Sequence, residues 1–370
     1  MRNLSSRKSA DADKFHLGEI TCPSGVLVII DMGYMRFWSG RHEPLPRLDE
    51  IDDPEVRAGA GFRADYFIAG KDATQVARLA DYSSFHFLYD RSLEGIEAIA
   101  AKIASLAQQH GLDAHVEREP CQISHRERAQ RVADLGGGDF PMEGPWVGAV
   151  GTLSKRPLTV RGRRQDYGGN VGVRWAEVSI EVSRKPVETS IRVGDVAVDH
   201  GLILLGDADA LGNWRHYGSL DGLCDVAFFG REEDAAREAL AAQRLADSWS
   251  WGASGWRNIT PEEGKRRLQQ VRSWLGPGSP IGRLVLEYRP HSHFYLVMEQ
   301  IRSGRAEVGA LALDGAVLLG LNTSWGDGLY PIWVDRDKAG AVVAIRLELG
   351  SEKRRQLMEQ VWARAVAESQ

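Results

Sequence analysis

The segment 322–331, with the sequence NTSWGDGLYP, combines the residue types most suited to chemistry in this chain. Glycines on both sides of Asp327 let the backbone adopt positive φ angles, which can hold the carboxylate clear of its neighbours. Trp325 and Tyr330 would then flank it as aromatic walls. The pattern predicts an exposed acid that accepts hydrogen bonds or provides one ligand to a hard cation. The alternative is a tight turn whose Asp bonds only to its own backbone.

Asp207 and Asp209 form a second carboxylate group directly after the apolar run 202–205, and Asp31 follows the similar run 26–30. Strand ends are where open sheets commonly place ligand contacts. An Asp-x-Asp pair can bind a divalent cation through oxygen, but the Glu that a calcium loop needs at its twelfth position is missing. The pattern therefore favours carboxylates that cap or form turns over a metal site.

His291 and His293 precede a predicted apolar strand and, two residues apart, would face one side, a spacing that is compatible with zinc. The sequence offers no evident third ligand, which favours histidines without a metal. The nucleophile elbow G-x-S-x-G, the zinc motif H-E-x-x-H and any close cysteine pair are missing from the sequence. The glycine run 136–138 follows a predicted helix rather than opening one, so it is interpreted as a linker and not as a phosphate loop.

Eleven tryptophans are present, and Trp249, Trp251 and Trp256 lie in the loop 248–256, which is rich in Gly and Ser. An indole buries a large area for little loss of side-chain entropy, which suits a recognition surface. Core packing is the alternative for each of them.

Apolar spacing predicts a mixed framework of helices and strands to position these residues. In the first half we predict strands over 64–69, 85–89 and 112–117 and helices over 72–80, 93–110 and 122–135. In the second half we predict helices over 231–246 and 261–275, then a meander of strands over 284–289, 294–301, 306–313, 316–322, 330–334 and 342–347. Ser124 and Thr260 are the expected N-caps of the helices that follow them.

A charged amphipathic helix is predicted over 352–368. Leu357, Val361, Trp362 and Ala365 would lie on its inner side. Packing of this side against the sheet is favoured over the alternative, in which the helix binds a partner.

The two halves share a short internal sequence similarity. Gly25, Asp31 and Trp38 align without a gap with Gly201, Asp207 and Trp214. Duplication and chance similarity of two strand ends both stay open. We predict an α+β protein in two halves, each with a sheet packed by helices, the second ending in an antiparallel meander and a C-terminal helix. The predicted domains are a disordered tail over 1–14, an N-terminal domain over 15–190 and a C-terminal domain over 191–370.

Composition limits the classes of function. Of 370 residues, 43% are hydrophobic and 26% charged, as in soluble globular proteins of two domains. The net charge of -5 points to neither nucleic acid nor a membrane as a partner. Cys22, Cys121 and Cys224 are widely spaced and odd in number, and no secretory signal or long apolar run is evident, so we expect a cytoplasmic protein.

The stretch SWGDGLYP at 324–331, with the following VDRDKAGAVVAIR at 334–346, resembles the C-terminal signature of an uncharacterised bacterial domain family. Its members pair an early strand ending in Asp, which would be 201–207 here, with this late signature and a final strand. This chain has Ala208 where members often have Pro. The family has no established reaction. Some members resemble proteins found near bacterial toxin and immunity loci, which implies an accessory binding or immunity role.

We therefore interpret the protein as a non-enzymatic binding or immunity-like accessory protein that recognises a protein partner through an aromatic and acidic surface. No cofactor, metal, nucleic acid or membrane is expected as a partner. The alternative is a metal-assisted hydrolase, with a metal-bound water as nucleophile, built from Asp207, Asp209, Asp327 and His291 or His293. The predicted ligand-binding residues are Trp325, Asp327, Tyr330, Asp207, Asp209, Trp251 and Trp256.

Overall fold

The protein belongs to the α+β class, as predicted. The computed structural model describes residues 14–38, 45–46, 66–80, 93–118, 124–142, 145–152, 154, 156–245, 253–276, 283–304 and 306–368. Residues 1–13 of the tail predicted over 1–14, the predicted strand over 85–89 and Cys121 lie outside these residues, whereas Lys14 begins a strand.

The strands in chain order are β1 (Lys14–Ile20), β2 (Val26–Asp31), β3 (Leu45–Pro46), β4 (Tyr66–Ala69), β5 (His115–Arg118), β6 (Gly138–Pro141), β7 (Trp146–Gly151), β8 (Leu158–Asp166), β9 (Val173–Glu181), β10 (Thr189–Val198), β11 (Leu202–Asp207), β12 (Cys224–Phe229), β13 (Gln243–Leu245), β14 (Ala253–Ile259), β15 (Val285–Pro290), β16 (Val308–Leu313), β17 (Ala316–Asn322), β18 (Gly328–Arg336) and β19 (Val342–Glu348). The helices are α1 (Ala73–Leu79), α2 (Leu93–His110), α3 (His125–Asp134), α4 (Glu233–Ala239), α5 (Pro261–Leu275), α6 (His293–Ser303) and α7 (Glu352–Glu368). Two 3₁₀ helices, Met32–Phe37 and Ala210–Asn213, follow β2 and β11.

Two compact units are formed by discontinuous parts of the chain. Unit 1 comprises Met1–Asn213, Leu313–Leu318 and Thr323–Gln370, and unit 2 comprises Trp214–Ala312 and Leu319–Asn322. The domain division predicted after residue 190 falls inside β10.

Unit 1 contains a six-stranded sheet with the strand order β1-β8-β9-β19-β18-β10. The second six-stranded sheet has the order β16-β17-β11-β2-β7-β6, and its strands β16 and β17 contribute residues to both units. All residues of β2 and β11 are buried, which explains why both strands are apolar up to their final Asp. A Cβ on Gly148 of β7 would lie 2.1 Å from Cδ1 of Ile332 on β18, so any larger residue here would require the Ile332 side chain to move.

Strands β2 and β11 are antiparallel neighbours at the centre of the second sheet. Asp31 lies opposite Ile203, and Asp207 lies opposite Leu27. The two aspartates that the sequence alignment equates therefore lie at opposite ends of this strand pair.

Each unit also contains a small sheet packed by helices. In unit 1 this sheet has the order β3-β4-β5, and its core includes Ile68, Val76 and Ile103. In unit 2 the order is β13-β14-β12-β15, and the core includes Phe228 and Trp256.

Both small sheets turn from a strand into a short helix at a glycine with positive φ. Gly70 has a φ of 113° and approaches the backbone of Asp113, whereas Gly230 has a φ of 142° and approaches the backbone of Arg283. A Cβ would lie 2.4 Å and 2.5 Å from those two carbonyl oxygens, so glycine is required at both positions. These matching details support a duplication, which stays a prediction.

Most of the described helices were predicted. Helices α2, α5 and α7 have the predicted bounds, and Ser124 and Thr260 accept backbone hydrogen bonds from Glu127 and Glu263 as N-caps should. The helix predicted over 231–246 ends at Ala239, and β13 follows.

The strand predicted over 294–301 is wrong, because these residues form α6. The Ser292 hydroxyl caps this helix by accepting from Tyr295 N, and its buried residues include Val297 and Ile301, which are one turn apart. The predicted meander is not found either, since β16 and β17 belong to the second sheet and β18 and β19 to the first.

Among the described helices, none has the length and apolar character needed to cross a membrane.

Candidate functional site

The Gly-Asp-Gly turn joins β17 to β18 in unit 1. Gly326 and Gly328 have φ angles of 77° and 152°, and Ser324 before them has a φ of 61°. This backbone holds Asp327 at the surface, where no hydrogen bond or ion pair to its carboxylate is found within the described part of the chain. The predicted exposure of the acid is confirmed, whereas binding of a ligand by it stays a prediction.

Trp325 and Tyr330 do not form exposed walls beside Asp327, and that expectation is wrong. Both side chains are buried. The Trp325 indole N–H donates to the Trp175 carbonyl at 2.7 Å, and the Tyr330 hydroxyl donates to the Gly326 carbonyl at 2.6 Å. The two rings therefore hold the turn from its buried side. Each ring is inserted into the fold, and its polar atom donates to a main-chain carbonyl.

Helix α7 lies against the same turn. The Arg354 guanidinium stands over the Tyr330 ring at 4.0 Å and donates to the Leu329 carbonyl at 2.7 Å. Burial raises the pKa of Tyr330, so its hydroxyl is held as a hydrogen-bond donor. The turn and the first part of α7 thus form one continuous surface.

Apolar side chains on this surface face solvent. Leu329, next but one to Asp327, is 54% exposed, and Leu357 and Val361 on α7 are 60% and 56% exposed. The prediction that Leu357 and Val361 lie on the inner side of the helix is wrong. The side chains of Trp362 and Ala365 lie outside the described residues.

The spacing along α7 groups these side chains. Arg354, Leu357 and Val361 are three and four residues apart, so they share one helix face, and Arg354 contacts the residue after Gly328. We call the group Asp327, Leu329, Leu357 and Val361 the Asp327 surface.

Asp207 is buried and fully occupied by hydrogen bonds. Its Oδ1 accepts from the backbone N–H groups of Asp209 and Ala210 at 2.9 and 3.0 Å. Its Oδ2 accepts from the N–H and hydroxyl of Ser24 at 2.8 and 2.6 Å. Asp209 is partly exposed and pairs with Arg126. These contacts are those of a carboxylate that forms a turn and ties it to the neighbouring strand.

Asp31 is bound in the same manner at the other end of the strand pair. It accepts from the backbone N–H groups of Gly33 at 2.6 Å, Asp199 at 2.5 Å and His200 at 2.9 Å. The His200 ring nitrogen Nδ1 lies 3.3 Å from its Oδ2. The hydrogen bond to Asp31 raises the pKa of His200, against the opposing effect of burial.

The Asp31 end, and not the Asp207 end, adjoins the Gly-Asp-Gly turn. A Cβ on Gly201 would lie 3.5 Å from Cα of Gly326, and the Thr323 N–H donates to the Gly201 carbonyl at 2.9 Å. The three aspartates therefore do not share one site, because Asp207 lies at the far end of the strands.

The remaining predicted residues lie elsewhere. Trp256 is buried on β14 against Phe228, and Trp251 with its neighbour Trp249 lies outside the described residues. Trp256 is thus a core residue of unit 2 rather than part of an exposed surface.

The two histidines of the metal hypothesis have different environments. His293 is buried at the start of α6, where its Nδ1 accepts from the Arg215 N–H at 2.8 Å. His291 lies between Asp221 and Asp225, with ring nitrogens 2.8 and 3.2 Å from their carboxylates. Throughout the described ranges, no group of three or more His, Cys, Asp or Glu residues could hold a metal ion.

Cys22 and Cys224 are buried free thiols. Burial raises the pKa of Cys22 to about 12, with the nearby Asp207 charge acting in the same direction. At neutral pH this thiol is protonated and therefore a poor nucleophile.

Sequence reasoning missed His200, Leu329 and Arg354 at this site. The spacing of Arg354, Leu357 and Val361 was the available signal, since it defines one helix face. Which face of α7 packs against the sheet depends on its contacts with residues that are distant in the sequence.

No protein-family model, no curated protein and no solved structure matches this chain.

Proposed function

We propose that this protein is a non-enzymatic binding protein, immunity-like and accessory in role, that recognises a protein partner through the Asp327 surface. The observation that carries the proposal is the exposure of Leu357 and Val361, one helical turn apart, on the face of α7 from which Arg354 donates to the Leu329 carbonyl, two residues from Asp327. Single exposed apolar residues are ordinary, but adjacent ones beside a charged group are typical of interaction sites.

Burial of this apolar group would supply the binding energy. Covering one Leu or Val side chain stabilises a complex by about 1.5–3 kcal/mol relative to leaving it in water. Leu329, Leu357 and Val361 together offer a hydrophobic centre of the kind that dominates protein interfaces.

The Asp327 carboxylate indicates the chemistry of the partner. Arg354, a cation that contacts the turn, is directed at the Tyr330 ring and the Leu329 carbonyl. No ion pair joins it to Asp327 within the described residues. We therefore propose that the partner presents an apolar groove bordered by a Lys or Arg that pairs with Asp327.

Binding is favoured over the metal-hydrolase alternative by the state of its proposed ligands. Both oxygens of Asp207 accept hydrogen bonds from protein groups, and Asp209 pairs with Arg126. A metal would have to displace these contacts before it could bind.

The test is a quantitative native affinity purification of the tagged full chain from its source cells, followed by affinity measurement with the purified partner. Leu357→Asp places a charge in the apolar centre and should weaken binding by about thirtyfold or more. Asp327→Lys should weaken it by about tenfold or more through repulsion of the partner's basic group.

Leu135→Asp is the matched control, because Leu135 is 88% exposed elsewhere in unit 1. It should leave the complex unchanged. The proposal is wrong if all three variants retain the same partner equally, or if only a second copy of this chain is recovered.

A further inference from the structure

His291 in unit 2 lies between two carboxylates that come from different elements. Its Nδ1 is 2.8 Å from Oδ2 of Asp221, in the loop before β12, and its Nε2 is 3.2 Å from Oδ1 of Asp225, on β12. An ionised carboxylate accepts hydrogen bonds but donates none. Both ring nitrogens must therefore carry a proton, so this geometry requires the charged imidazolium form of His291.

Asp221 is the centre of the loop 219–223. Its Oδ1 accepts from the Ser219 hydroxyl at 3.0 Å and from the Leu223 N–H at 2.9 Å, and its Oδ2 is bonded to His291. The bond to His291, with that from Leu223, lowers the pKa of Asp221 to about 2. Asp221 therefore ties its own loop to the His291 ring.

Main-chain hydrogen bonds also join this loop to residue 291. The Leu220 N–H donates to the His291 carbonyl at 2.9 Å, and the His291 N–H donates to the Leu223 carbonyl at 3.1 Å. Neither bond involves a group that titrates. The Leu220 amide is therefore protected while the loop lies against His291, although it does not contact the ring nitrogens itself.

The two carboxylates differ in their freedom to move. Asp225 lies on β12, an inner strand of the sheet β13-β14-β12-β15, and its Oδ1 also accepts from the Asn258 N–H at 2.9 Å. The Asp225 side chain is 16% exposed, whereas that of Asp221 is 51% exposed. Water can replace the ring as the partner of Asp221 at little cost, whereas Asp225 is fixed by the sheet.

Other charged and titratable groups surround His291. Arginine and carboxylate side chains keep their charges near neutral pH. Burial raises the pKa of Tyr295, which stays protonated, and Nδ1 of His293 accepts from the Arg215 N–H, which requires this nitrogen to be unprotonated. A change of charge above neutral pH therefore falls on His291. The groups are Asp221 of the loop, Asp225 of β12, Arg257 of β14, Glu287 and Arg289 of β15, and His293, Tyr295, Glu299 and Arg302 of α6.

We propose that His291 is a pH-sensitive latch, whose imidazolium ties the loop 219–223 to β12 and whose loss of a proton to water releases Asp221. In the neutral ring the remaining proton is on Nε2, which faces the fixed Asp225 carboxylate. The unprotonated Nδ1 then faces Oδ2 of Asp221, and two acceptors at hydrogen-bond distance repel each other. The loop therefore moves away from the ring.

The latch is closed at low pH and open at high pH. Burial opposes protonation of the ring, but the hydrogen bonds to Asp221 and Asp225 outweigh this effect and raise the pKa of His291 above 6.5. The ion pairs are complete below that value, and they are lost as the pH rises through the folded pKa. The latch lies in unit 2 and does not depend on the proposed partner surface of unit 1.

Amide hydrogen exchange of the full chain tests the latch. Exchange is read at the Leu220 N–H between about pH 6 and about pH 9 and corrected for the intrinsic rate at each pH. Protection of this amide should fall by about tenfold or more across the titration of His291. Protection that does not change with pH overturns the proposal.

Nitrogen NMR of the His291 ring gives a second, independent measurement. Both ring nitrogens should be protonated at about pH 6, and Nε2 alone at about pH 9. A ring with a single protonated nitrogen at the lower pH contradicts the proposal, because it could not donate to both carboxylates.

Asp221→Asn is the sharpest variant, because an amide both accepts and donates. Its oxygen can keep the bonds from Ser219 and Leu223, while its NH₂ group donates to the neutral Nδ1 of His291. Protection at Leu220 should therefore persist to about pH 9. If Asp221→Asn kept the pH dependence of the unsubstituted chain, repulsion by Asp221 would not open the loop and the proposal would be wrong.

His291→Gln removes the titrating ring and should abolish the pH dependence of protection at Leu220. His115→Gln is the matched control, because His115 of unit 1 also lies beside a carboxylate, with its Nε2 2.9 Å from Glu117. It should leave the pH dependence at Leu220 unchanged. A pH dependence that survives in His291→Gln, or that is lost in His115→Gln, contradicts the assignment of the latch to His291.

Discussion

The two ends of the β2–β11 strand pair have the same arrangement, an Asp side chain that binds a turn, but the side chain contributed by the turn differs. At each end a buried Asp closes a strand, begins a 3₁₀ helix and binds the turn before the neighbouring strand. At the Asp207 end that turn contributes the hydroxyl of Ser24, whereas at the Asp31 end it contributes the imidazole of His200. The Asp31 end also adjoins the Gly-Asp-Gly turn, through Gly201.

The carboxylates of Asp31 and Asp207 have structural roles, whereas that of Asp327 is available to another molecule. Asp31 and Asp207 satisfy backbone donors that would otherwise be buried without partners, which is a structural role. Asp327 holds no other part of the described chain, so its charge is available to another molecule. A strand-end Asp is therefore a poor indicator of a ligand site when its own turn supplies several N–H donors.

The largest expected effect comes from removing either buried carboxylate. Asp31→Ala and Asp207→Ala should each lower the free energy of unfolding by about 3 kcal/mol or more, because several buried donors lose their acceptor. Urea denaturation measures this effect. Asp327→Ala is the control and should change it by about 0.5 kcal/mol or less. If Asp207→Ala proved as mild as the control, its role in holding Ser24 would be refuted.

A smaller effect on stability is expected from adding a side-chain carbon to Gly33, which lies in the 3₁₀ helix after Asp31. A Cβ on Gly33 would lie 2.4 Å from the His200 ring, whereas a Cβ on Gly212, in the 3₁₀ helix at the other end, would meet nothing within 4 Å. Gly33→Ala should therefore destabilise the protein by roughly 1–3 kcal/mol, and Gly212→Ala should be close to neutral. Thermal unfolding of the two variants compares them directly, and equal destabilisation would contradict the described packing of His200.

The contributions of His200 and Ser24 to the free energy of unfolding should depend differently on pH. Since the pKa of His200 is raised above 6.5, its ion pair with Asp31 stabilises the fold fully below that value, and the stabilisation is lost as pH rises through the folded pKa. His200→Ala should thus cost most stability below pH 6.5 and progressively less above it.

Ser24→Ala serves as the comparison at the other end, because a hydroxyl does not titrate in this range. It should cost about 1 kcal/mol at every pH between 5.5 and 9. Urea denaturation across this range tests both variants. A pH-independent cost of His200→Ala would show that the histidine contributes through packing alone.

The smallest effect on stability is expected at the Asp327 surface. Leu357→Asp and Asp327→Lys change exposed side chains and should shift the free energy of unfolding by about 0.5 kcal/mol or less. Circular dichroism during urea denaturation checks this expectation. A large loss of stability in either variant would mean that the surface is part of the fold and not available to a partner.

Much of the fold could be predicted from local patterns. The apolar runs ending at Asp31 and Asp207 are β2 and β11, and capping signals located α3 and α5. The strand assigned to 294–301 failed because Phe, Tyr, Leu and Val favour strands locally, whereas tertiary packing supports the helical spacing of Val297 and Ile301.

The site was predicted only in part. Two glycines around Asp327 are a local signal, and they exposed the carboxylate as expected. The inward position of Trp325 and Tyr330 and the outward position of Leu357 depend on the first sheet and on α7, which are assembled from distant segments. Side-chain alternation cannot decide which face a remote element will cover.

Site-specific photo-crosslinking tests most directly whether the Asp327 surface, rather than the strand ends, meets a partner. A photoreactive phenylalanine analogue is placed at Leu357 in one sample and at Leu135 in another, in the full chain within its source cells. We expect one protein other than this chain to be linked at position 357, to be lost when Asp327→Lys is added, and to be missing at position 135. Linkage of the same proteins at both positions, or of a second copy alone at position 357, would contradict the account.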